Sequence, residues 1–148
     1  MGATYSFLDV VATISGPGGN IPLGSGAGNA EEGISYEQVD ELNKMDIGAD
    51  GSSMFSLHAS KGARVTVRLL KTSPTNALLS AMVAFQRQSG ALNGQNTINI
   101  SNFATGDNAT FQFVAFAKIP NIAYAKDGGM IEWDFLAGRS DIQLGANV

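Results

Sequence analysis

The chain has 148 residues, of which 44% are hydrophobic and 15% are charged, and it contains no cysteine. This length suffices for a single domain, residues 1–148, with a substantial core. The missing thiols exclude a disulfide scaffold, a thiolate zinc site and a cysteine nucleophile. An ordinary soluble domain carries about 25% charged residues, so much of this surface is apolar or neutral. Such a surface suits a protein that is covered by its own copies and, equally, a charge-poor monomer.

The net charge of −4 is unevenly distributed. Residues 1–60 hold eight acids and one base, whereas residues 61–148 hold eight bases and five acids. A basic nucleic-acid-binding face is therefore not expected, but contact between the acidic half of one copy and the basic half of another is. No apolar run approaches the roughly 18 residues of a membrane helix, so no membrane segment is predicted.

The N-terminal third predicts a strand followed by irregular structure. Thr4–Ser15 is rich in β-branched and aromatic residues and predicts a long first strand. Residues 16–33 form a Gly-rich loop with a short extended piece at Ile21–Leu23. Residues 34–53 alternate weakly and also fit a weak helical face; an extended acidic arm is favoured, with a turn at Gly48–Gly51.

The middle of the chain predicts a hairpin and then a helix. Met54–Ser60 and Ala63–Lys71 have strand character and are separated by Lys-Gly, which favours pairing between them. Ser73 is a suitable N-cap residue and Pro74 suits a first helical position. The apolar spacing that follows predicts a helix over residues 74–89.

The last third returns to strands. Thr97–Phe103 and Thr110–Ala117 predict two of them, and Ile122–Ala125 with Met130–Leu136 predict a hairpin around an Asp-Gly turn. Residues 137–148 show little pattern. The sum is a mainly β fold, an antiparallel β-sandwich or open barrel with one flanking α-helix.

Motifs of catalysis and metal binding fail in detail. His58 is the only histidine, so it cannot form a histidine metal cluster, and we interpret it as a structural or interface residue. The glycines of Gly24–Gly28 lack the spacing and following residues of a phosphate loop. A calcium loop starting at Asp46 would need ligands where Gly48 and Leu57 stand. No enzyme activity, catalytic residue, metal or cofactor is expected.

One strand near the end separates acidic from apolar side chains. Glu132 and Asp134 alternate with Ile131, Trp133 and Phe135, so the two sets lie on opposite faces. We expect the apolar set in the core and the acidic pair facing water or a lumen.

Five segments in the first half of the chain occur in a characteristic order. They are Tyr5–Val10, Gly33–Glu37, Gly48–Ser52, Met54–His58 and Arg64–Leu70, the last followed by the Ser73-Pro74 helix start. This order resembles that of the tail tube proteins of contractile-tailed bacteriophages. The resemblance implies a β-sandwich or barrel with a flanking helix and no catalytic residue.

The resemblance also implies an assembly. Six copies would form a ring, and rings would stack into a hollow tube that conducts the viral DNA genome into the host cell. The implied partners are further copies, the tail sheath protein, baseplate and tail terminator proteins at the ends, and tape measure protein or DNA in the lumen. The implied location is the virion tail, assembled in the bacterial host cytoplasm.

Within such an assembly, Glu132 and Asp134 are the candidates for lining the lumen, because acidic side chains repel phosphate. Candidates for contacts between rings are the acidic residues between positions 31 and 50 and the basic residues that follow them. They are Glu31, Glu32, Glu37, Asp40, Glu41, Asp46, Asp50, Lys61, Arg64, Arg68 and Lys71. Two alternatives remain: a pyocin or type VI secretion-like tube protein and, in another class, a small carbohydrate-binding β-sandwich.

Overall fold

The computed structural model describes residues 4–145, except the side chains of Glu31 and Glu32. A 3₁₀ turn at Phe7–Asp9 precedes the first strand, and one helix, α1 (Thr75–Gln86), follows the sixth. The strands are β1 (Val10–Gly16), β2 (Gly19–Pro22), β3 (Asn29–Gln38), β4 (Asn43–Ile47), β5 (Ser53–Leu57), β6 (Ala63–Leu70), β7 (Asn96–Asn102), β8 (Asp107–Phe116) and β9 (Met130–Gln143).

Seven strands form one antiparallel sheet in the order β2-β1-β7-β8-β9-β6-β3, and β4 and β5 form a separate hairpin. The large sheet curls into a half-barrel. The predicted mainly β fold with one flanking helix is therefore confirmed.

The core lies inside the curl, because alternate residues of each strand point there. On β6, Val65 and Val67 are fully buried, and on β9 Trp133 and Phe135 lie against them. Burying each such side chain contributes roughly 1.5–3 kcal/mol. The predicted apolar face of β9 is thus in the core.

The helix closes part of the open side of the half-barrel. Leu79 and Met82 join the core, and the indole Nε1 of Trp133 donates to the Oδ1 atom of Asn76 at 3.0 Å. The hydroxyl of Ser73 accepts a hydrogen bond from the helix's first N–H group at 3.2 Å. The predicted helix is confirmed, with ends one and three residues inside the predicted range.

A buried amide pair joins the helix to the sheet. Nε2 of Gln86 donates to Oδ1 of Asn96 at 2.7 Å, and Nδ2 of Asn96 donates to Oε1 of Gln86 at 2.8 Å. The remaining amide hydrogens reach the carbonyl oxygens of Pro17 and Val114. A Cβ atom at Gly16 would lie 1.9 Å from Oδ1 of Asn96, so the close fit requires glycine there.

The first strand begins at Val10 and not at Thr4 as predicted, because Phe7–Asp9 form a 3₁₀ turn. Two further predictions in the first half are wrong. The predicted hairpin between Met54–Ser60 and Ala63–Lys71 does not form, because β5 pairs with β4 whereas β6 lies between β3 and β9.

The predicted Gly-rich loop (residues 16–33) and extended arm (residues 34–53) are also wrong where they overlap β3, which is a strand of the sheet. Its register shifts between Asn29 and Ile34, around Gly33 at φ 62°, and this irregularity hides the strand pattern.

Two predictions in the last third are also wrong. Ile122–Ala125 is not a strand but part of a loop, and β9 continues to Gln143, through residues that showed little pattern. The pairing of β8 with β9 skips Phe113 and Gly138. Phe113 has φ 54°, which is unusual for a bulky residue, and this irregularity breaks the alternation of both strands.

Asn96→Ala is expected to lower the free energy of unfolding by about 3 kcal/mol. The change leaves the buried amide of Gln86 without this partner, and each unsatisfied buried polar group costs about 1–3 kcal/mol. Asn99→Ala, on the exposed face of the same strand, should change it by no more than about 0.5 kcal/mol. Urea unfolding of both variants measures the difference, and equal losses would contradict the role of the amide pair.

Candidate assembly surfaces

Residues 39–60, called the arm, project from the sheet as the β4–β5 hairpin and its two connections. The base of the arm is fixed by two contacts. The N–H group of Val39 donates to the carbonyl of Gly62 at 3.0 Å, and the hydroxyl of Ser60 donates to Oδ2 of Asp40 at 2.7 Å. The arm is therefore attached firmly where it leaves β3 and returns to β6.

His58 extends this attachment. Its backbone N–H donates to the carbonyl of Leu42 at 2.9 Å, and its ring Nδ1 lies 2.9 Å from the carbonyl oxygen of Glu41. The ring nitrogen must carry a proton to donate there. In this position His58 links the two strands of the arm near its base.

The tip of the arm is a tight turn, as the sequence predicts. The N–H group of Gly48 donates to the carbonyl of Ser52 at 2.7 Å, and Gly51 adopts φ 88°. The hydroxyl of Ser52 donates to the carboxylate of Asp50 at 2.6 Å. This bond, together with one from the N–H group of Ser52, lowers the pKa of Asp50.

The arm has an apolar face and a polar face, because its side chains alternate. Met45 lies opposite Phe55, and they share a face with Ile47 and Leu57. These four side chains are exposed by 55%, 66%, 66% and 80%. No described residue of the subunit covers this face. A two-stranded hairpin is marginally stable by itself, so the arm gains most from burial against another surface.

The acidic candidates fall into two places. Asp40, Glu41, Asp46 and Asp50 are all exposed on the arm. Glu37 is exposed on β3, outside the arm. Glu31 and Glu32 belong to β3 as well, but their side chains lie outside the described residues.

The two lumen candidates lie beside two of the basic candidates. Arg68 faces Glu132 across the strands, with Nε 3.3 Å from Oε2. Asp134 accepts a hydrogen bond from the hydroxyl of Thr66 at 2.8 Å and lies 3.8 Å from the guanidinium of Arg64. Glu132 and Asp134 are thus on the sheet face opposite the core, as predicted, but each has a cationic neighbour that the sequence did not indicate.

The other two basic candidates lie at opposite ends of β6. Lys61 precedes β6 at the base of the arm, and its carbonyl accepts a hydrogen bond from Ser140 at 2.9 Å. Lys71 follows β6, where its ammonium group lies 4.1 Å from the centre of the Tyr124 ring and donates to the carbonyl of Ala123. The four predicted bases therefore do not form one cluster.

A cavity of about 290 Å³ lies between the N-terminal segment and β3. Tyr5, Phe7 and Tyr36 contribute aromatic walls, and Asp107 lies at its edge. Burial raises the pKa of Tyr36, and the negative charge of Asp107 raises it further. The site offers no nucleophile paired with a base.

In the described residues, no group of three or more histidine, cysteine or acidic side chains is placed to hold a metal ion. Within the same range, no helix is long and apolar enough to cross a membrane.

An open half-barrel with an uncovered apolar arm suits a structural subunit of a larger assembly. The family comparison agrees: the model of the bacteriophage PhiTE tail tube protein family matches residues 2–145, and the chain belongs to that family. It is a structural protein of the tail tube, within a phage tail or a related contractile injection particle. No curated protein sequence matches it significantly.

Solved structures share the fold at low sequence identity. The anti-feeding prophage tube-terminating cap is 14% identical, covers 98% of this chain and 95% of its own, and has a TM-score of 0.54. The sheath/tube terminator of an extracellular contractile injection system, PVC, is 16% identical over 97% and 99%, with a TM-score of 0.55. A chain of the anti-feeding prophage baseplate is 8% identical over 99% of both chains, with a TM-score of 0.55.

Alkaline titration tests the environment of Tyr36. The raised pKa means that the folded state favours the neutral phenol. This stabilisation is complete below the unfolded pKa of about 10 and is lost as the pH rises through the higher folded pKa. The unsubstituted protein should therefore lose stability above about pH 10 more steeply than Tyr36→Phe. Tyr124→Phe, which removes an exposed phenol, is the control, and identical pH profiles for all three proteins would contradict the burial.

Proposed function

We propose that six copies of this chain form a ring and that rings stack into a hollow tube through which a phage conducts its DNA into the host cell. The family match supports the tail tube role, and the resemblance described above suggests the number six. The observation that carries self-assembly is the apolar face of the arm, which the subunit leaves uncovered.

The edges of the sheet support ring formation. β2 and β3 end the sheet on its two sides, and no described strand pairs with their outer edges. Exposed edges are templates for pairing with another chain, and a closed ring removes them. Pairing β3 of one copy with β2 of the next would join the half-barrels around the axis.

The arm supports stacking. Its acids and its apolar face would contact the neighbouring ring, where exposed charge pairs contribute only about 0–1 kcal/mol each. Burial of the four apolar side chains therefore stabilises the contact more than the charges do, and repetition around the ring multiplies its effect. The tube would meet the sheath on its outside and the baseplate and terminator at its ends.

The β6–β9 face, with Glu132 and Asp134, is our candidate for the lumen. Arg64 and Arg68 offset these acids, so the face is hydrophilic and close to neutral rather than strongly acidic. Binding of DNA requires Lys or Arg free to neutralise phosphates. Arginines held by carboxylates would let DNA or the tape measure protein pass without adhering.

A tube protein of a contractile injection system that carries no genome is the second candidate. The fold neighbours from the anti-feeding prophage and the PVC system favour it. Nothing in the structure or comparisons favours the carbohydrate-binding alternative. Particles isolated with the protein separate the two tube functions, because a phage tail is joined to a DNA-filled head.

Replacing Met45 and Phe55 together by Ser tests the arm. Each side chain should lose roughly 1.5–3 kcal/mol of burial in the assembly, so the concentration needed for assembly should rise at least about 100-fold. Both side chains are exposed in the subunit, so the free energy of unfolding should change by no more than about 0.5 kcal/mol. Sedimentation and negative-stain microscopy measure assembly.

Met54→Ser is the matched control, because Met54 is similarly exposed but lies on the other face of the same hairpin. Normal tubes are expected from it. Normal tubes from the Met45/Phe55 variant would reject the arm as an assembly surface, and an unsubstituted protein that stays monomeric at high concentration would reject the proposed function.

Replacing Glu132 by Gln and Asp134 by Asn tests the lumen. The change removes the carboxylates that contact Arg64 and Arg68, so tubes should retain DNA, and the retained fraction should fall steeply with added salt. Filter binding of labelled DNA to assembled tubes measures retention. Asp9→Asn with Asp107→Asn makes the same change in net charge away from the arm, the loop and the β6–β9 face, and it should retain none; equal retention by both variants would argue against the lumen assignment.

A further inference from the structure

We propose that the apolar face of the arm binds the loop of residues 117–129 on another copy, so that copies join head to tail. The inference rests on the proposed tube function and adds the receiving surface. It is carried by the positions of the two elements at opposite ends of β6, and by their matching apolar and charged side chains.

The topology places the arm and the loop at opposite ends of the subunit. The arm returns to the sheet at Ala63, the first residue of β6. The last residue of β6, Leu70, pairs with Met130, which directly follows the loop. Eight strand residues separate these ends by about 25 Å. A surface at one end that fits a surface at the other produces an open stack of copies rather than a closed pair.

The loop is long, irregular and apolar. It joins β8 to β9 through thirteen residues without regular secondary structure, a length that is uncommon unless a loop has a function. Ile119, Ile122 and Tyr124 are exposed along it. A cavity of about 220 Å³ beside the end of α1 is lined by Val83, Ile119 and other residues of the loop and helix. Large side chains such as Met45 and Phe55 suit such a surface.

Lys71 holds the loop in place. Its ammonium group donates to the carbonyl of Ala123 and lies over the Tyr124 ring, and its N–H group donates to the carbonyl of Gly129 at 3.4 Å. These contacts fix the middle and the end of the loop to the end of β6. The receiving surface is therefore positioned before another copy arrives.

The charges of the two elements are opposite. The arm holds four acids and one base. The loop and the side chains beside it hold four bases and one acid: Lys71, Arg87, Lys118, Lys126 and Asp127. Contact between them would oppose like-charged pairing of arm with arm and favour the head-to-tail arrangement.

Of the four basic residues predicted to contact another ring, only one lies at the loop. Arg64 and Arg68 lie beside carboxylates of their own subunit, and Lys61 lies at the base of the arm. Lys71 is the one located at the loop. Arg87, Lys118 and Lys126, which the sequence alone did not single out, complete the basic set.

Cysteine cross-linking tests the contact directly, because the chain has no cysteine of its own. A chain with Met45→Cys and Ile122→Cys should give a ladder of covalent multimers on a denaturing gel after assembly and treatment with a short bis-maleimide. Each single variant should stop at the dimer at most. Met54→Cys with Ile122→Cys is the matched control, because Met54 lies on the opposite face of the arm, and it should give no ladder.

A charge exchange provides a second measurement. Lys118→Glu with Lys126→Glu should reduce the assembled fraction by about tenfold or more, because the lost pairs are repeated around each ring. Adding Glu41→Lys to the same chain should restore part of the assembly. Folding is followed by circular dichroism, and all three side chains are exposed in the subunit.

The outcomes distinguish this inference from the proposed function. Tubes that form without the Met45–Ile122 ladder, or that form normally with both loop lysines reversed, would overturn the receiving site but leave the tube function standing. Failure of the unsubstituted chain to form any ring or tube would overturn both.

Discussion

β6 and β9 pair without interruption from Ala63 with Ala137 to Leu70 with Met130, and the rest of the subunit is arranged around this ladder. One face of the two strands supplies central core residues, among them Val65, Val67, Trp133 and Phe135. The other face supplies the paired arginines and carboxylates. The ladder also fixes the arm at one end and the loop 117–129 at the other, so the same eight pairs define the core, the candidate lumen and both proposed stacking surfaces.

The core of the subunit is well packed, whereas part of its surface carries apolar side chains that no described residue covers. Gln86 and Asn96 satisfy one another inside, and the described core has large side chains that are fully buried. On the arm, by contrast, apolar side chains are exposed on a hairpin face that no other described residue covers. A monomer gains little from such a surface, and it is an aggregation hazard unless it has a designated partner. The proposed self-assembly would cover this surface.

The paired charges on β6 and β9 change the expected character of a lumen. Two acids alone would repel DNA, whereas acids beside arginines give a surface without net attraction or strong repulsion. On the proposed lumen face, the carboxylates would keep the two arginines from binding phosphate. The balance depends on the carboxylates, since their removal converts the same face into a basic one.

Sequence alone determined the features that depend on neighbours in the chain. The presence of the helix, the buried face of β9 and the turn at the tip of the arm follow from apolar spacing and glycine. It also indicated the family through the order of its segments, and the family model matches residues 2–145.

The tertiary structure decided what depends on distant residues. Whether β5 pairs with β4 or with β6 is not visible in either strand. In the fold both sides of β6 are occupied by β3 and β9, and β5 forms an exposed hairpin with β4. Glu132 and Asp134 were expected on one face, but their arginine neighbours come from a strand more than sixty residues away. The arm and the loop 117–129 lie at opposite ends of the subunit because the arm precedes the first residue of β6 and the loop precedes Met130, which pairs with the last residue of β6. This placement depends on the pairing of β6 with β9, which the sequence does not show.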